Sequence, residues 1–284
     1  MQGERKMNTF MLYNGQTMPQ LGLGTYRIEN NDELAQRVSF AIEHGYRSID
    51  TAARYGNEEK VGEGIKKGIQ AAGIQRSDLF ITSKLWLDDY GRMNVEEAYQ
   101  RTLDKLDLDY LDLYLMHWPG SNEEEMIDTW KGMEDLLKQN KVKNIGVSNF
   151  QPHHLESLLS HASIKPVINQ IEFHPYLTQN DLRMYLKAQR IQAEAWSPFM
   201  NGDILKDETI QAIAEEVEKS PAQVVLRWHI QHDVIVIPKS ITPSRIKENI
   251  NVFDFELSDD QMKRIDQLNQ NKSIDADVPS YKSY

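Results

Sequence analysis

The stretch that decides the fold is residues 46–62, YRSIDTAARYGNEEKVG. It begins as a strand, because Tyr46, Ser48 and Asp50 alternate with the residues between them. It ends where a helix is expected to start, near Asn57, so that Asp50 and Tyr55 fall at a strand-to-helix turn. A carboxylate and a phenol at such a turn are candidates for proton chemistry, although a capped turn with a packed tyrosine would show the same pattern.

The chain is long enough for one large domain, and we expect residues 1–284 to form a single one. Single β/α barrels commonly contain about 250 residues. No run reaches the ~18 consecutive apolar residues of a membrane helix, and the first ten residues contain no apolar signal segment. The chain has no cysteine, which excludes disulfides and thiolate chemistry. Together these features predict a cytoplasmic protein that does not enter a membrane.

The net charge is −11, from 32 basic and 43 acidic residues. This balance argues against a protein that binds nucleic acid or anionic membranes, because either function needs a basic surface. An anionic ligand must therefore be held by a local cluster of basic residues. The acidic run at residues 123–125 is predicted to be a solvated loop.

A strand followed by a helix recurs about every 30 to 40 residues, a spacing that indicates βα units. An Asn14-Gly15 turn near the N-terminus predicts a small hairpin. Helix caps are expected at Asn31 or Asp32 and at Asn94, and a helix stop at Gly73. The predicted barrel strands are residues 21–25, 46–51, 79–85, 111–117, 144–148, 167–171, 192–196 and 234–238.

Eight such units predict a (β/α)8 barrel of the TIM type, with a doubly wound open sheet as the alternative. Two features favour the barrel. No G-x-G-x-x-G follows a strand, since the run from Gly22 breaks the pattern at Arg27. Polar residues also stand at the C-terminal end of nearly every strand, where barrel enzymes build their active sites.

Lys84 is the most informative of these strand-end residues. A lysine in the apolar strand ITSKL is costly to bury without a partner, and Asp50 on the preceding strand could supply one. A structural ion pair is the alternative explanation. The ammonium of Lys84 would lower the pKa of Tyr55, which could then give a proton to a carbonyl oxygen. His117, at the end of the next strand, could orient that carbonyl.

A metal centre is not expected. The sequence has no HExxH motif, and the adjacent His153 and His154 are predicted to lie on the surface at the start of a helix.

The best candidate for an anion site is residues 237–249, IPKSITPSRIKEN. Lys239 and Arg245 flank a strand-to-helix turn, and Ser240 and Thr242 add hydroxyl groups near the helix N-terminus. Barrels often hold phosphate after their last strands. A well-capped, exposed helix remains the alternative. Elsewhere Trp196 could stack on a flat ring, and Ser148, Asn149 and Gln170 could bind a carboxamide, although each alone is more consistent with a turn or core contact.

These residues together resemble the aldo-keto reductase family, and the matching stretches span most of the chain in order. They are GLGTY at 22–26, DTAARYGNEEKVG at 50–62, SKLW at 83–86, LDLYLMHWP at 111–119, IGVSNF at 145–150, NQIEFHP at 169–175, AWSP at 195–198 and IPKSITPSRIKENINVFDFEL at 237–257.

The resemblance implies a (β/α)8 barrel whose bottom is closed by an N-terminal β-hairpin, and a nicotinamide cofactor, NADPH. It implies that Tyr55 is the general acid, that Asp50 and Lys84 tune it, and that His117 orients the carbonyl. The cofactor-binding positions would be Thr25, Asp50, Ser148, Asn149, Gln170, Trp196, Ser197, Phe199, Lys239, Ser240, Thr242, Arg245, Glu248 and Asn249, and the substrate-binding positions Tyr26, Trp86, His117 and Trp118.

The resemblance also bears on the substrate. The segment after His117, WPGSNEEEMIDTW, is short, and the tail DADVPSYKSY at 275–284 shows no pattern that would close a pocket. Both features resemble bacterial members that reduce small dicarbonyls such as methylglyoxal and glyoxal, other aldehydes, and sugar-derived carbonyls. We therefore expect an NADPH-dependent monomeric reductase of small carbonyl compounds. The alternative is a regulatory protein that binds the nicotinamide cofactor on the same fold with little turnover.

Overall fold

The computed structural model describes residues 8–274, so the tail at 275–284 lies outside the described residues. The N-terminal hairpin pairs β1 (Thr9–Met11) with β2 (Thr17–Pro19) in antiparallel register. Gly15 occupies the turn with φ +84°, a conformation that glycine adopts without steric cost. The hairpin predicted from Asn14-Gly15 is therefore confirmed.

Eight parallel strands form the central sheet, and each hydrogen-bonds to the next in chain order. The sheet closes on itself, since Leu21 bridges Val236 and Gly24 bridges Lys239 in parallel. The predicted (β/α)8 barrel is confirmed. Its strands are β3 (Leu23–Gly24), β4 (Ser48–Asp50), β5 (Phe80–Leu85), β6 (Leu113–Met116), β7 (Ile145–Ser148), β8 (Ile168–Glu172), β9 (Gln192–Trp196) and β10 (Ile235–Val236).

Helices follow the strands and cover the outside of the barrel. They are α1 (Asp32–Glu43), α2 (Glu58–Ala72), α3 (Arg92–Leu106), α4 (Glu123–Lys138), α5 (Pro152–His161), α6 (Asn180–Gln189), α7 (Glu208–Glu216), α8 (Pro221–Gln231), α9 (Pro243–Asn249) and α10 (Asp259–Asp266). Asn31 caps α1, and Gly73 ends α2 in the left-handed conformation, as predicted. Within residues 8–274, no helix combines the length and the apolarity that crossing a bilayer requires.

Two local predictions were wrong. Residues 123–125 form the first turn of α4 rather than a loop, because Asn122 caps the helix and carboxylates are favourable at a helix N-terminus. Asn94 does not cap α3, which begins at Arg92. The Asn94 side chain donates instead to the carbonyl of Tyr90, inside the first turn.

The hairpin closes the N-terminal end of the barrel, as expected. Leu12 and Met18 are buried there against apolar residues from the starts of the strands, including Leu113 and Ile235. The side chain of Asn14 also donates to Asn144 across the rim. The cluster packed inside this end of the barrel is apolar, whereas Asp50 and Lys84 lie towards the C-terminal end of the strands.

Close approach of helices α2 and α3 depends on Gly62. A Cβ atom at this position would lie 2.1 Å from the carbonyl oxygen of Leu106, a distance that a rigid backbone contact cannot accommodate. We expect Gly62→Ala to lower the free energy of unfolding by about 1–3 kcal/mol, despite the better helix propensity of alanine. Urea denaturation measures the change. Gln70→Ala, on the exposed face of α2, is the control and is expected to stay within about 0.5 kcal/mol of the wild type.

Candidate active site

A buried ion pair lies at the centre of the barrel mouth. The ammonium of Lys84 on β5 donates to Asp50 Oδ1 on β4 at 2.6 Å, and both side chains are almost completely buried. Lys84 also donates to the carbonyl of Thr51 at 2.9 Å and to the phenol oxygen of Tyr55 at 3.2 Å. Three of the predicted catalytic groups are therefore in direct contact.

The pKa of Tyr55 differs from the sequence-based expectation. Burial raises the pKa of this phenol to about 12, and the opposing effect of Lys84 does not offset it. Burial by itself lowers the pKa of Lys84, but Asp50 and Tyr55 stabilise the ammonium and the net pKa is raised. The prediction of a lowered Tyr55 pKa was wrong for the protein alone, because it omitted desolvation.

His117, which follows β6, packs its ring against Tyr55 and Trp86, with centroid separations of 5.6 and 5.1 Å. Burial, together with the charges of Lys84 and Arg54, lowers its pKa well below the usual value, so the imidazole is neutral. Its Nδ1 is buried and has no hydrogen-bond partner among the described residues.

Gln170 on β8 connects this cluster to a second buried carboxyl group. Its Nε2 donates to Asp50 Oδ2 at 2.8 Å and to Glu194 Oε2 at 2.9 Å. Both amide protons are then used inside the barrel, and the remaining polar atom of the Gln170 side chain, its carbonyl oxygen, can only accept a hydrogen bond. Burial and the nearby charge of Asp50 raise the pKa of Glu194 to about 8.

Glu194 was missed by the sequence analysis. Its strand position gave a signal, because residues two apart on a strand face the same side and Glu194 is two residues before Trp196. Its Oε1 is buried without a partner among the described residues, as expected for a group that depends on Gln170 alone.

Ser148, Asn149 and Trp196 form one hydrogen-bonded group. Trp196 Nε1 donates to Asn149 Oδ1 at 2.9 Å, and Asn149 Nδ2 donates to the carbonyl of His117 and to Ser148 Oγ. Ser148 Oγ in turn donates to the backbone carbonyl of Gln170. These bonds hold the indole of Trp196 in one orientation at the cavity wall.

These residues surround a cavity of about 520 Å³ at the C-terminal end of the strands. The predicted site residues that line it are Tyr26, Asp50, Tyr55, Trp86, His117, Trp118, Ser148, Asn149, Gln170, Trp196, Ser197, Phe199, Lys239 and Arg245. Lys84 lies beneath the wall, in contact with Tyr55.

Five predicted cofactor residues do not line the cavity. Thr25 is buried and donates to the carbonyl of Asp50. Ser240, Thr242, Glu248 and Asn249 lie on the turn after β10 and on α9, beside the cavity residues Lys239 and Arg245. Their assignment to cofactor binding stays a prediction.

Two exposed arginines line the cavity and were also missed: Arg27, which follows β3, and Arg54, next to Tyr55. With Lys239 and Arg245 they bring four cations to the cavity, and Asp50 is the single carboxylate that residues 8–274 contribute to its lining. An acidic protein that concentrates positive charge in this cavity is suited to bind anions there.

The prediction that His153 and His154 both lie on the surface was wrong. His153 is exposed, but His154 is buried, and its Nδ1 accepts a hydrogen bond from the backbone N–H of Gln151 at the start of α5. Within residues 8–274, no group of three or more potential ligands is arranged to hold a metal ion.

The sequence profile of the Aldo/keto reductase family matches residues 20–270. The chain belongs to this family. It is 53% identical to the glyoxal reductase of Bacillus subtilis over 267 residues, which cover 94% of this chain and 95% of the relative. It is 46% identical to the methylglyoxal reductase DkgA of Escherichia coli K12 over 272 residues, covering 95% and 96%.

Solved aldo/keto reductases share the fold. The crystal structure of a Bombyx mori aldo-keto reductase in complex with NADP superposes with a TM-score of 0.88 at 39% identity, covering 94% of both chains. The buried pair and the cavity of this aldo/keto reductase therefore lie in a barrel that another family member uses with a nicotinamide cofactor bound.

The raised pKa of Glu194 predicts a pH-dependent stability. The folded state keeps the proton up to about pH 8, whereas an unfolded glutamate loses it near pH 4.3, so this group destabilises the fold as the pH rises between these values. Glu194→Gln keeps an acceptor for Gln170 but does not titrate. We expect Glu194→Gln to gain stability relative to the wild type between pH 5 and pH 9 in urea denaturation.

The matched control is Glu59→Gln, an exposed carboxylate on α2. Its stability relative to the wild type is expected to be the same at both pH values. An equally constant difference for Glu194→Gln would show that Glu194 is ionised throughout this range.

Proposed function

We propose that this aldo/keto reductase reduces small aldehydes and ketones to alcohols with NADPH, and that Tyr55 supplies the proton. The observation that carries the proposal is the contact of the Tyr55 phenol with Lys84, which is itself held by Asp50. The phenol of Tyr55 lies at the wall of the cavity, with the charge of Lys84 directly beneath it, which supports the proposed role of Tyr55 as proton donor.

The residues fit a nicotinamide dinucleotide phosphate. Lys239 and Arg245 line the cavity and form no ion pair with any carboxylate of residues 8–274, so both are available to phosphate groups. Asn249 Oδ1 is buried without a partner among these residues and could accept from an adenine amino group. The indole of Trp196 offers a fixed face for the nicotinamide ring, and Gln170 offers a carbonyl for its carboxamide.

NADPH, when bound, supplies a hydride to the carbonyl carbon. The chain's own residues manage the proton. The raised pKa of Tyr55 keeps the phenol protonated and ready to donate to the oxygen that gains charge. The ammonium of Lys84 stabilises the resulting phenolate, and Asp50 holds that ammonium in place. The neutral imidazole of His117 can donate its N–H to the same oxygen and orient it.

Small carbonyl compounds are the proposed substrates, with glyoxal and methylglyoxal first, because the two bacterial relatives are named for them. The aromatic residues Tyr26, Trp86 and Trp118 line the substrate side of the cavity. We further propose that the protein has one domain over residues 1–284, since all the proposed catalytic residues come from one barrel, and that it acts as a cytoplasmic monomer. The domain bounds, the oligomeric state and the location in the cell stay predictions.

The first test is turnover. We expect the wild type to oxidise NADPH in the presence of methylglyoxal, followed by absorbance at the cofactor's near-ultraviolet band. Tyr55→Phe is expected to lower kcat by at least about 100-fold because it removes the proton donor, while NADPH binding changes little. Loss of NADPH binding in Tyr55→Phe would mean that Tyr55 is structural. Tight NADPH binding by the wild type without turnover of a broad carbonyl panel would favour the regulatory alternative.

The second test concerns the choice of cofactor. Lys239→Met and Arg245→Met are each expected to raise the KM for NADPH by roughly 10- to 100-fold, the value of a charge-assisted hydrogen bond to phosphate. The KM for NADH, which lacks the 2′-phosphate, should change much less. Lys247→Met is the control, because Lys247 lies on α9 together with Arg245 but does not line the cavity. Equal losses with both cofactors would assign these residues to the shared pyrophosphate.

A further inference from the structure

Arg54 stands directly before Tyr55, in the single 3₁₀ turn Ala53–Tyr55 that follows β4. Its side chain is exposed and lines the cavity. The guanidinium lies over the ring of Trp86, with Cζ 5.2 Å from the ring centroid. A cation on an aromatic face is held in orientation without its hydrogen-bond donors being used.

No carboxylate among residues 8–274 lies within ion-pairing distance of Arg54, although the chain carries a net charge of −11. The turn after Trp86 contains Asp89, which pairs instead with Arg101. The donors of Arg54 are therefore open to an anionic group that enters the cavity.

The position of Arg54 separates it from the proposed phosphate site. Trp86, which supports the guanidinium, packs against His117, and the charge of Arg54 contributes to the lowered pKa of that histidine. Lys239, by contrast, lies on the turn after β10, and Arg245 belongs to α9. Arg54 therefore lies on the Trp86 and His117 side of Tyr55, where the carbonyl compound is proposed to bind.

We propose that Arg54 is a specificity-determining residue that binds the carboxylate of carbonyl substrates, so that this enzyme favours small aldehydes and ketones carrying an acid group. The assignment rests on the proposed function. In the reaction the carbonyl carbon gains a hydride from NADPH and its oxygen gains a proton through Tyr55, which yields the hydroxy acid and NADP⁺. The carboxylate is unchanged and serves only to bind.

The chemistry of the site favours a carboxylate over a phosphate monoester. A planar guanidinium matches the two oxygens of a carboxylate in a bidentate pair. A phosphate dianion would leave one charge uncompensated here, because Arg54 is the one cation that the described residues place against Trp86.

The test compares a charged substrate with its neutral methyl ester. These are 4-oxobutanoate and its methyl ester, with 4-carboxybenzaldehyde and its methyl ester as a second, rigid pair. The quantity measured is the ratio of kcat/KM for the acid to kcat/KM for the ester. We expect this ratio to exceed one in the wild type and to fall about 10-fold in Arg54→Gln, because a charge-assisted hydrogen bond is lost. Arg54→Lys should retain part of the preference.

Arg27→Gln is the matched control. It removes the same charge from the same cavity, but Arg27 lies over Tyr26 rather than Trp86. Its acid-to-ester ratio is expected to stay within about 2-fold of the wild type. A comparable fall in both variants would assign the preference to the general positive potential of the cavity and would overturn the proposal for Arg54.

A binding measurement without the cofactor gives a second readout. Titration with butyrate is expected to change the tryptophan fluorescence of the wild type in a saturable way, through Trp86, and butyramide is not. Arg54→Gln should lose the response to butyrate, and an unchanged response would contradict the proposal.

The outcomes separate the two proposals. If neither esters nor acids are reduced, the proposed carbonyl reductase function fails. If the esters are reduced but the wild-type ratio is one or lower, or is unchanged in Arg54→Gln, the reductase function stands and the carboxylate site is wrong.

Discussion

The buried contact between Lys84 and Asp50 is the interaction on which the rest of the site depends. Removing two charges from water costs several kcal/mol per ion, and the attraction between them compensates only when further hydrogen bonds satisfy both groups. The carbonyl of Thr51 and the phenol of Tyr55 complete the shell of Lys84, and Gln170 completes that of Asp50. The same bonds that make burial tolerable also set the positions of the groups that handle the proton.

The barrel allows this contact because its two ends differ in polarity. Asp50 and Lys84 lie on neighbouring strands, β4 and β5, whose parallel register brings both side chains to the same end of the interior. The hairpin residues Leu12 and Met18 seal the other end with apolar contacts. Asp50 and Tyr55 line the cavity at the opposite end. Charges buried there are weakly screened and act strongly on a reacting group.

Much of the site could be predicted from local sequence patterns. The features that could not be predicted all depend on contacts between distant parts of the chain. Polar residues at strand ends identified Asp50, Lys84 and His117, since parallel strands in a closed barrel deliver their ends to one face. The pKa of Tyr55 was predicted in the wrong direction because a neighbouring charge can be read from sequence but the extent of burial cannot. Glu194 and Arg54 were missed because each matters only through a partner distant in the chain, Gln170 for one and Trp86 for the other.

The sequence by itself determined the alternation of strands and helices, the family motifs and the identity of the four proposed catalytic residues. These features depend on periodicity, turn residues and residue type, which act over a few neighbours in the chain. Only the tertiary structure decided which polar groups are satisfied and which are left open. Closure of the barrel set how deeply Tyr55 and Glu194 are buried, and it left the cations Arg54, Lys239 and Arg245 without acidic partners in the described cavity. Burial and charge pairing are sums over all neighbours in space, so they exist only once the chain has folded.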